Sequence, residues 1–144
     1  MNYKRKPNLD LLMPVTGISY FRFLIITPIV MIFIAVLLDF GYDFPESVNG
    51  YYGQLAMDGF STAYNLQLVF ALLAFIADIL IFFFVRYSRE LWILLIAVFY
   101  LLGSIMPELL IMSPLSIVMV QIASLMAGLK ISLAYLSPLI RDLF

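Results

Sequence analysis

The chain has 144 residues, 65% of them hydrophobic and 12% charged, with a mean hydropathy of +1.08, so it has too little polar surface to cover a water-soluble globule and belongs in a bilayer. Cysteine and histidine are both absent. Their absence excludes disulfides, thiol nucleophiles, zinc or haem ligation by those residues and any imidazole relay.

From the N-terminus, Lys4, Arg5 and Lys6 precede an apolar run that is too long for a cleaved signal and is not followed by a small-residue cleavage pattern. It reads as a retained first span. Four apolar windows, 18–38, 63–85, 91–106 (or to 111) and 114–136, are matched against the roughly 20 residues needed to cross about 30 Å of hydrocarbon. Thr27 with Pro28 is predicted to bend the first. The outer segment 39–62 is acidic and rich in Phe and Tyr. Tyr favours the headgroup zone, so this segment is read as lying partly on the membrane surface, either as a receptor for a partner or cationic ligand or as an ordinary aromatic belt. The third span is short unless helix continues past Pro107, and Ser113 followed by Pro114 is a suitable N-cap and N1 pair for the fourth. The whole chain reads as one domain without internal repeats.

Charge sets the orientation. The eight basic residues, Lys4, Arg5, Lys6, Arg22, Arg86, Arg89, Lys130 and Arg141, fall before or early in span one, in the turn between spans two and three, or near the end of span four and just beyond. The other two connections carry Asp39, Asp43, Glu46, Asp58 and Glu108 and no base. Under the positive-inside rule the expected fold is an all-α, integral-membrane four-helix bundle with both termini cytoplasmic, anchored by Lys4, Arg5, Lys6, Arg86, Arg89 and Arg141. Arg22 and Lys130 can snorkel to the same side.

On span two, Tyr64, Gln67, Ala71, Ala74 and Asp78 alternate in steps of three and four, which puts them on one helical stripe. A polar and small stripe amid Leu, Ile and Phe is expected to face other helices or a cavity. Asp78 is set about 12 Å inside the boundary marked by Arg86, deep enough to cost at least about 2.5 kcal/mol if ionised and alone. Lys130 lies at similar depth on span four, so an Asp78–Lys130 ion pair and a lone snorkelling lysine are both open. Span four also carries a Ser124, Gly128, Ser132 ladder continuing the side of Gln121, with Ser116, Ala123, Ala127 and Ala134 on the side of Lys130. Such a helix suits the bundle centre or a dimer contact. Ala97, Tyr100 and Ser104 make a weaker stripe on span three.

Neither a phosphate-cradling glycine loop nor a metal-ligand spacing occurs. Lys130 with Ser124, Ser132 or Ser137 is the one hydrolytic combination to weigh, and it is not the expectation. The chain is read as a non-enzyme with no catalytic residues, metal or cofactor, and with no nucleic-acid partner. Arg86 and Arg89 in "RYSRE" are topological anchors that can also touch anionic lipid.

The basic turn "VRYSRE" between spans two and three, and a last span ending in Tyr135 and Pro138 before "IRDLF", together with length and span order, resemble the YdgK-like family of uncharacterised four-span bacterial inner-membrane proteins. The resemblance implies a bacterial inner membrane and no activity. The leading expectation is an accessory or regulatory subunit of a membrane complex, or an immunity-type protein, acting by helix–helix contact with lipid, a partner's helices or a second copy around it. The alternative is a small dimeric proton- or cation-coupled transporter or channel with Asp78 as its site and Gln67, Tyr64, Gln121 and Lys130 along the path.

Overall fold

The computed structural model describes the backbone from Leu9 and side chains from Gly17 to the C-terminus; Lys4, Arg5 and Lys6 lie outside the described residues. Six helices follow in order: α1 (Leu9–Phe40), α2 (Glu46–Asp58), α3 (Thr62–Phe82), α4 (Ser88–Ile105), α5 (Pro114–Leu136) and α6 (Pro138–Arg141). The described residues contain no strand. Four stretches, Gly17–Phe40, Thr62–Phe82, Ser88–Ile105 and Pro114–Leu136, are long and apolar enough to cross a membrane.

Helix ends follow local chemistry. Ser113 caps α5, its hydroxyl accepting from the Ser116 N–H at 3.3 Å, with Pro114 at the first helical position. Ser61 caps α3 by accepting from the Tyr64 N–H at 3.1 Å. α4 stops at Ile105 because Met106 precedes Pro107 and is extended, the conformation a following proline imposes. Residues 106–113 are not helical. α1 runs unbroken through Pro28, with the Thr27 hydroxyl donating to the Phe23 carbonyl at 2.7 Å. The outer segment holds α2, whose helical propensity is weakened by Gly50 and Gly53, and Gly59 takes the left-handed φ of 82° that ends it.

Among the described residues, backbone strain falls in the α3–α4 turn. Phe84 and Tyr87 adopt φ of 55° and 66°, a region where a Cβ is unfavourable. Phe84 is held there by rings, stacking on Phe21 at 5.9 Å and meeting Phe144 edge-on at 5.5 Å. Tyr87 is exposed. Tyr87→Gly is therefore expected to stabilise the fold by about 1 kcal/mol, since glycine adopts this φ freely and is accepted at an N-cap; thermal melts of the two proteins in detergent check it, and a lowered midpoint would contradict it.

Two antiparallel pairs make the bundle: α1 packs along α5, and α3 along α4. α1 also meets α3 and α6, while α5 is joined to α3 and α4 mainly through side chains. The core, Phe21, Ile25, Ala74, Ala77, Ile81, Trp92, Leu95, Ala134 and Ile140, occupies the end that carries Arg86, Arg89 and Arg141, called here the basic end. Alanines at 74, 77 and 134 let helix axes approach. Leu37, Leu72, Leu94, Leu101 and Leu125 point outward, as surfaces facing lipid or another helix must.

The acidic end is fastened by polar contacts. The Glu108 carboxylate accepts from the Ser61 backbone N–H and from the Ser61 hydroxyl at 2.8 Å. Asp39 accepts from the Ser113 N–H at 2.8 Å, and the Ser116 hydroxyl donates to the Ala35 carbonyl at 2.8 Å, joining α5 to α1. From α2, the Tyr51 hydroxyl accepts from the Leu109 N–H at 2.9 Å and the Tyr52 hydroxyl from the Ile111 N–H at 2.7 Å. These two tyrosines, read in the sequence as headgroup residues, hold the α4–α5 connection through its backbone. Burial raises the Glu108 pKa, but the two hydrogen bonds from Ser61 outweigh it and hold the carboxyl below its ordinary value of 4.5. A depressed folded pKa means the stabilisation is fully present above the unfolded value and fades as pH falls through the folded one. Melting midpoints are thus expected to drop below about pH 4.5, and Glu108→Gln to flatten that drop.

Candidate functional site

Asp78 lies four residues before the end of α3, and Trp92 four after the start of α4, so the antiparallel pairing sets them at one level. α5 brings Lys130 to the same level. Lys130 is wholly buried and its ammonium donates to the Asp78 carboxylate, itself only 8% exposed. The same ammonium sits 3.8 Å from the centre of the Trp92 ring, the strongest type of cation–π partner. Three helices are thus tied at one point by a charge pair shielded from solvent. Trp92 Nε1 is buried and makes no hydrogen bond.

Around this point Arg89, half-buried, donates from Nη1 to the Ala134 carbonyl at 3.0 Å and lies over the Tyr135 ring at 4.6 Å. Beyond its expected role as an anchor, it joins the start of α4 to the end of α5. Arg86 stays exposed beside the Tyr87 ring at 4.7 Å. Arg141 pairs with Asp142 at 3.1 Å in the open, an arrangement worth little in stability. Arg22 lies 4.8 Å from the Phe82 ring.

Above the pair, toward the acidic end, the two helix pairs enclose a half-open cavity of about 640 Å³. Its walls are apolar: Pro28, Ile29 and Ile32 from α1, Ala71, Ala74 and Phe75 from α3, Ile96 and Phe99 from α4, and Val120, Ala123 and Ala127 from α5. Among the described residues Asp78 and Lys130 are its only charged lining residues, and they are paired.

The remaining sequence candidates separate. Ala71, Ala74, Ser124 and Gly128 border the cavity. Gln67 turns to the α4 backbone, donating to the Phe99 carbonyl at 3.3 Å beside Gly103, where a Cβ would come within 2.7 Å of its amide. Tyr64 stacks on Phe60 at 4.2 Å. Gln121 is exposed beside Val120, Ser124 and Leu125 in a shallow depression. Gln67, Tyr64 and Gln121 therefore do not share a space with Asp78. Ser116, Ala123, Lys130 and Ala134 form the buried face of α5, and Ser124, Gly128 and Ser132 its exposed one. The hydroxyls of Ser124 and Ser132 satisfy themselves on the Val120 and Gly128 carbonyls at 2.9 Å, leaving a low, backbone-lined strip. Ala97, Tyr100 and Ser104 are exposed, with Tyr100 also at the cavity edge.

Sequence reasoning passed over Trp92 and Glu108. The depth matching that links Asp78 to Lys130 would have drawn in Trp92, the single tryptophan. Glu108 gave no such signal, since an acid beside Pro107 in a polar connection reads as solvated. Among the described residues no group of three or more acids is placed to hold a metal ion.

Taken together, this is an all-helical chain whose four long apolar helices suit a membrane bundle, locked at one end by a buried charge pair. Comparison with protein-family models, with curated proteins and with solved structures found no match to this chain.

Proposed function

We propose that this is a non-enzymatic integral membrane protein acting through helix–helix contact, as an accessory or regulatory subunit of a membrane complex or as an immunity-type protein, in a bacterial inner membrane with both termini cytoplasmic. The observation that carries this reading is the uncovered Ser124, Gly128, Ser132 strip on α5, where a Cβ at Gly128 would meet nothing within 4 Å. In lipid, helices associate through close packing of small residues, because apolar surface alone gives no drive. A strip left open on a helix that is otherwise fastened to α1 is suited to receive a partner's helix or a second copy. The positive-inside asymmetry and the resemblance of "VRYSRE" and "IRDLF" to the YdgK-like family support the compartment and orientation.

Gentle purification from the native membrane tests it: a stoichiometric membrane partner or a homodimer is expected, and Ser132→Leu should release it. A monomer unaffected by that substitution would sink the reading.

A second reading, a proton- or cation-coupled transporter or channel centred on Asp78, is favoured by one observation, that Asp78 borders the cavity. Against it stand the apolar walls and the dispersal of Gln67, Tyr64 and Gln121, which leave no polar file to conduct an ion.

A further inference from the structure

We infer that the cavity between the two helix pairs is a binding site for one hydrocarbon chain, acyl or isoprenoid, drawn from the surrounding membrane. Four observations bear on the occupant. The walls are apolar and the only charges among them neutralise each other, so a guest with a charge would find no partner and water would find too few. Apolar cavities of this kind stay dry and take apolar guests.

Along α5 the lining runs from Val120 to Ile131, about 16 Å at helical rise. The cavity holds about 640 Å³ along that length. The volume lies within the usual range for sites that bury a whole small ligand.

An entrance exists as well. α4 and α5 make little direct backbone contact, and the links described between them, Arg89 to the Ala134 carbonyl and Lys130 to the Trp92 ring, lie toward the basic end, so the gap above them opens sideways. Tyr100, Ser124 and Gly128 edge the cavity and are exposed. A lateral gap at the mid-height of apolar helices admits what a bilayer interior contains.

Trp92, the chain's single tryptophan, lines the cavity and supplies the readout. The full-length protein in mild detergent is titrated with bromohexadecane, whose heavy atom quenches indole fluorescence on contact. Saturable quenching at one probe per protein is expected, relieved by hexadecane. Competition by methyl palmitate against competition by phytol then separates acyl from isoprenoid preference. Ala71→Leu on α3 and Gly128→Leu on α5 add bulk to opposite walls, and at Gly128 the first added carbon has open space. Each should weaken saturable quenching about tenfold or more. Ser132→Leu, which lies off the cavity, should leave it unchanged, so failure here is separable from failure of the contact strip. Quenching that rises in simple proportion to probe, or that survives both filling substitutions, would overturn the site. So would a cross-link from position 71 to a partner's helix in the native membrane, which would give the cavity to protein instead.

Discussion

Asp78→Asn and Lys130→Met, made singly, are each expected to destabilise the folded protein by about 3–5 kcal/mol, because each leaves a buried ion without its partner. The double variant is expected to lose clearly less than the sum, since it removes both charges and with them the desolvation that the pair had to offset. Reversible unfolding in mixed micelles of the four proteins measures the coupling. Additive losses would mean that the ammonium and the carboxylate do not depend on one another, contrary to the contact that the Lys130 side chain makes. The asymmetry also matters for the bundle as a whole. α3 and α5 belong to different helix pairs, and the Asp78–Lys130 contact is the direct polar tie between them.

Trp92→Ala is the second large effect, expected to cost about 3–5 kcal/mol, as truncations of buried large aromatics do. The ring is packed in the core and also lies against the Lys130 ammonium, so its loss both opens space and removes a cation–π contact. Trp92→Phe should cost far less, because it keeps a π face against the Lys130 ammonium and most of the packed ring while deleting an N–H that makes no hydrogen bond. The same micelle unfolding series measures both. A Phe variant as damaged as the Ala variant would show that the indole N–H, not the ring, is what the site requires.

Periodicity and hydropathy made the four long helices legible because each buries little and is apolar almost all round. Even the most covered candidate window, in α1, is only 28% buried, so the signal comes from composition and not from packing detail. The stripe on α3 was legible for the opposite reason. Small and polar residues are conspicuous in such a background, and Ala74 and Asp78 do face inward. Depth counting brought Asp78 and Lys130 to one level because straight helices convert residue number into distance at a fixed rise.

What the sequence concealed depends on contacts between segments far apart in the chain. α2 contains two glycines and buries no residue, so neither propensity nor pattern announces it; Tyr51 and Tyr52 fix it through backbone groups of residues 109 and 111. The cavity is equally invisible to periodicity. It arises because α1 pairs with α5 and α3 with α4, while the two pairs meet closely only toward the basic end, and no single helix encodes that spacing. α5, expected at the bundle centre or at a dimer contact, lies along α1 with one face buried and its Ser124, Gly128, Ser132 face exposed, as a dimer contact would require.

The proposed role of Asp78 is that of a fixed structural charge rather than a transported proton's stopping place. It is tested most directly by reconstituting the protein in liposomes with a pH-sensitive dye enclosed, and comparing wild type with Asp78→Asn under an imposed proton or sodium gradient. No flux above that of protein-free liposomes is expected for either protein. Wild-type flux that Asp78→Asn abolishes, in a variant still folded by circular dichroism, would contradict it and assign Asp78 to transport.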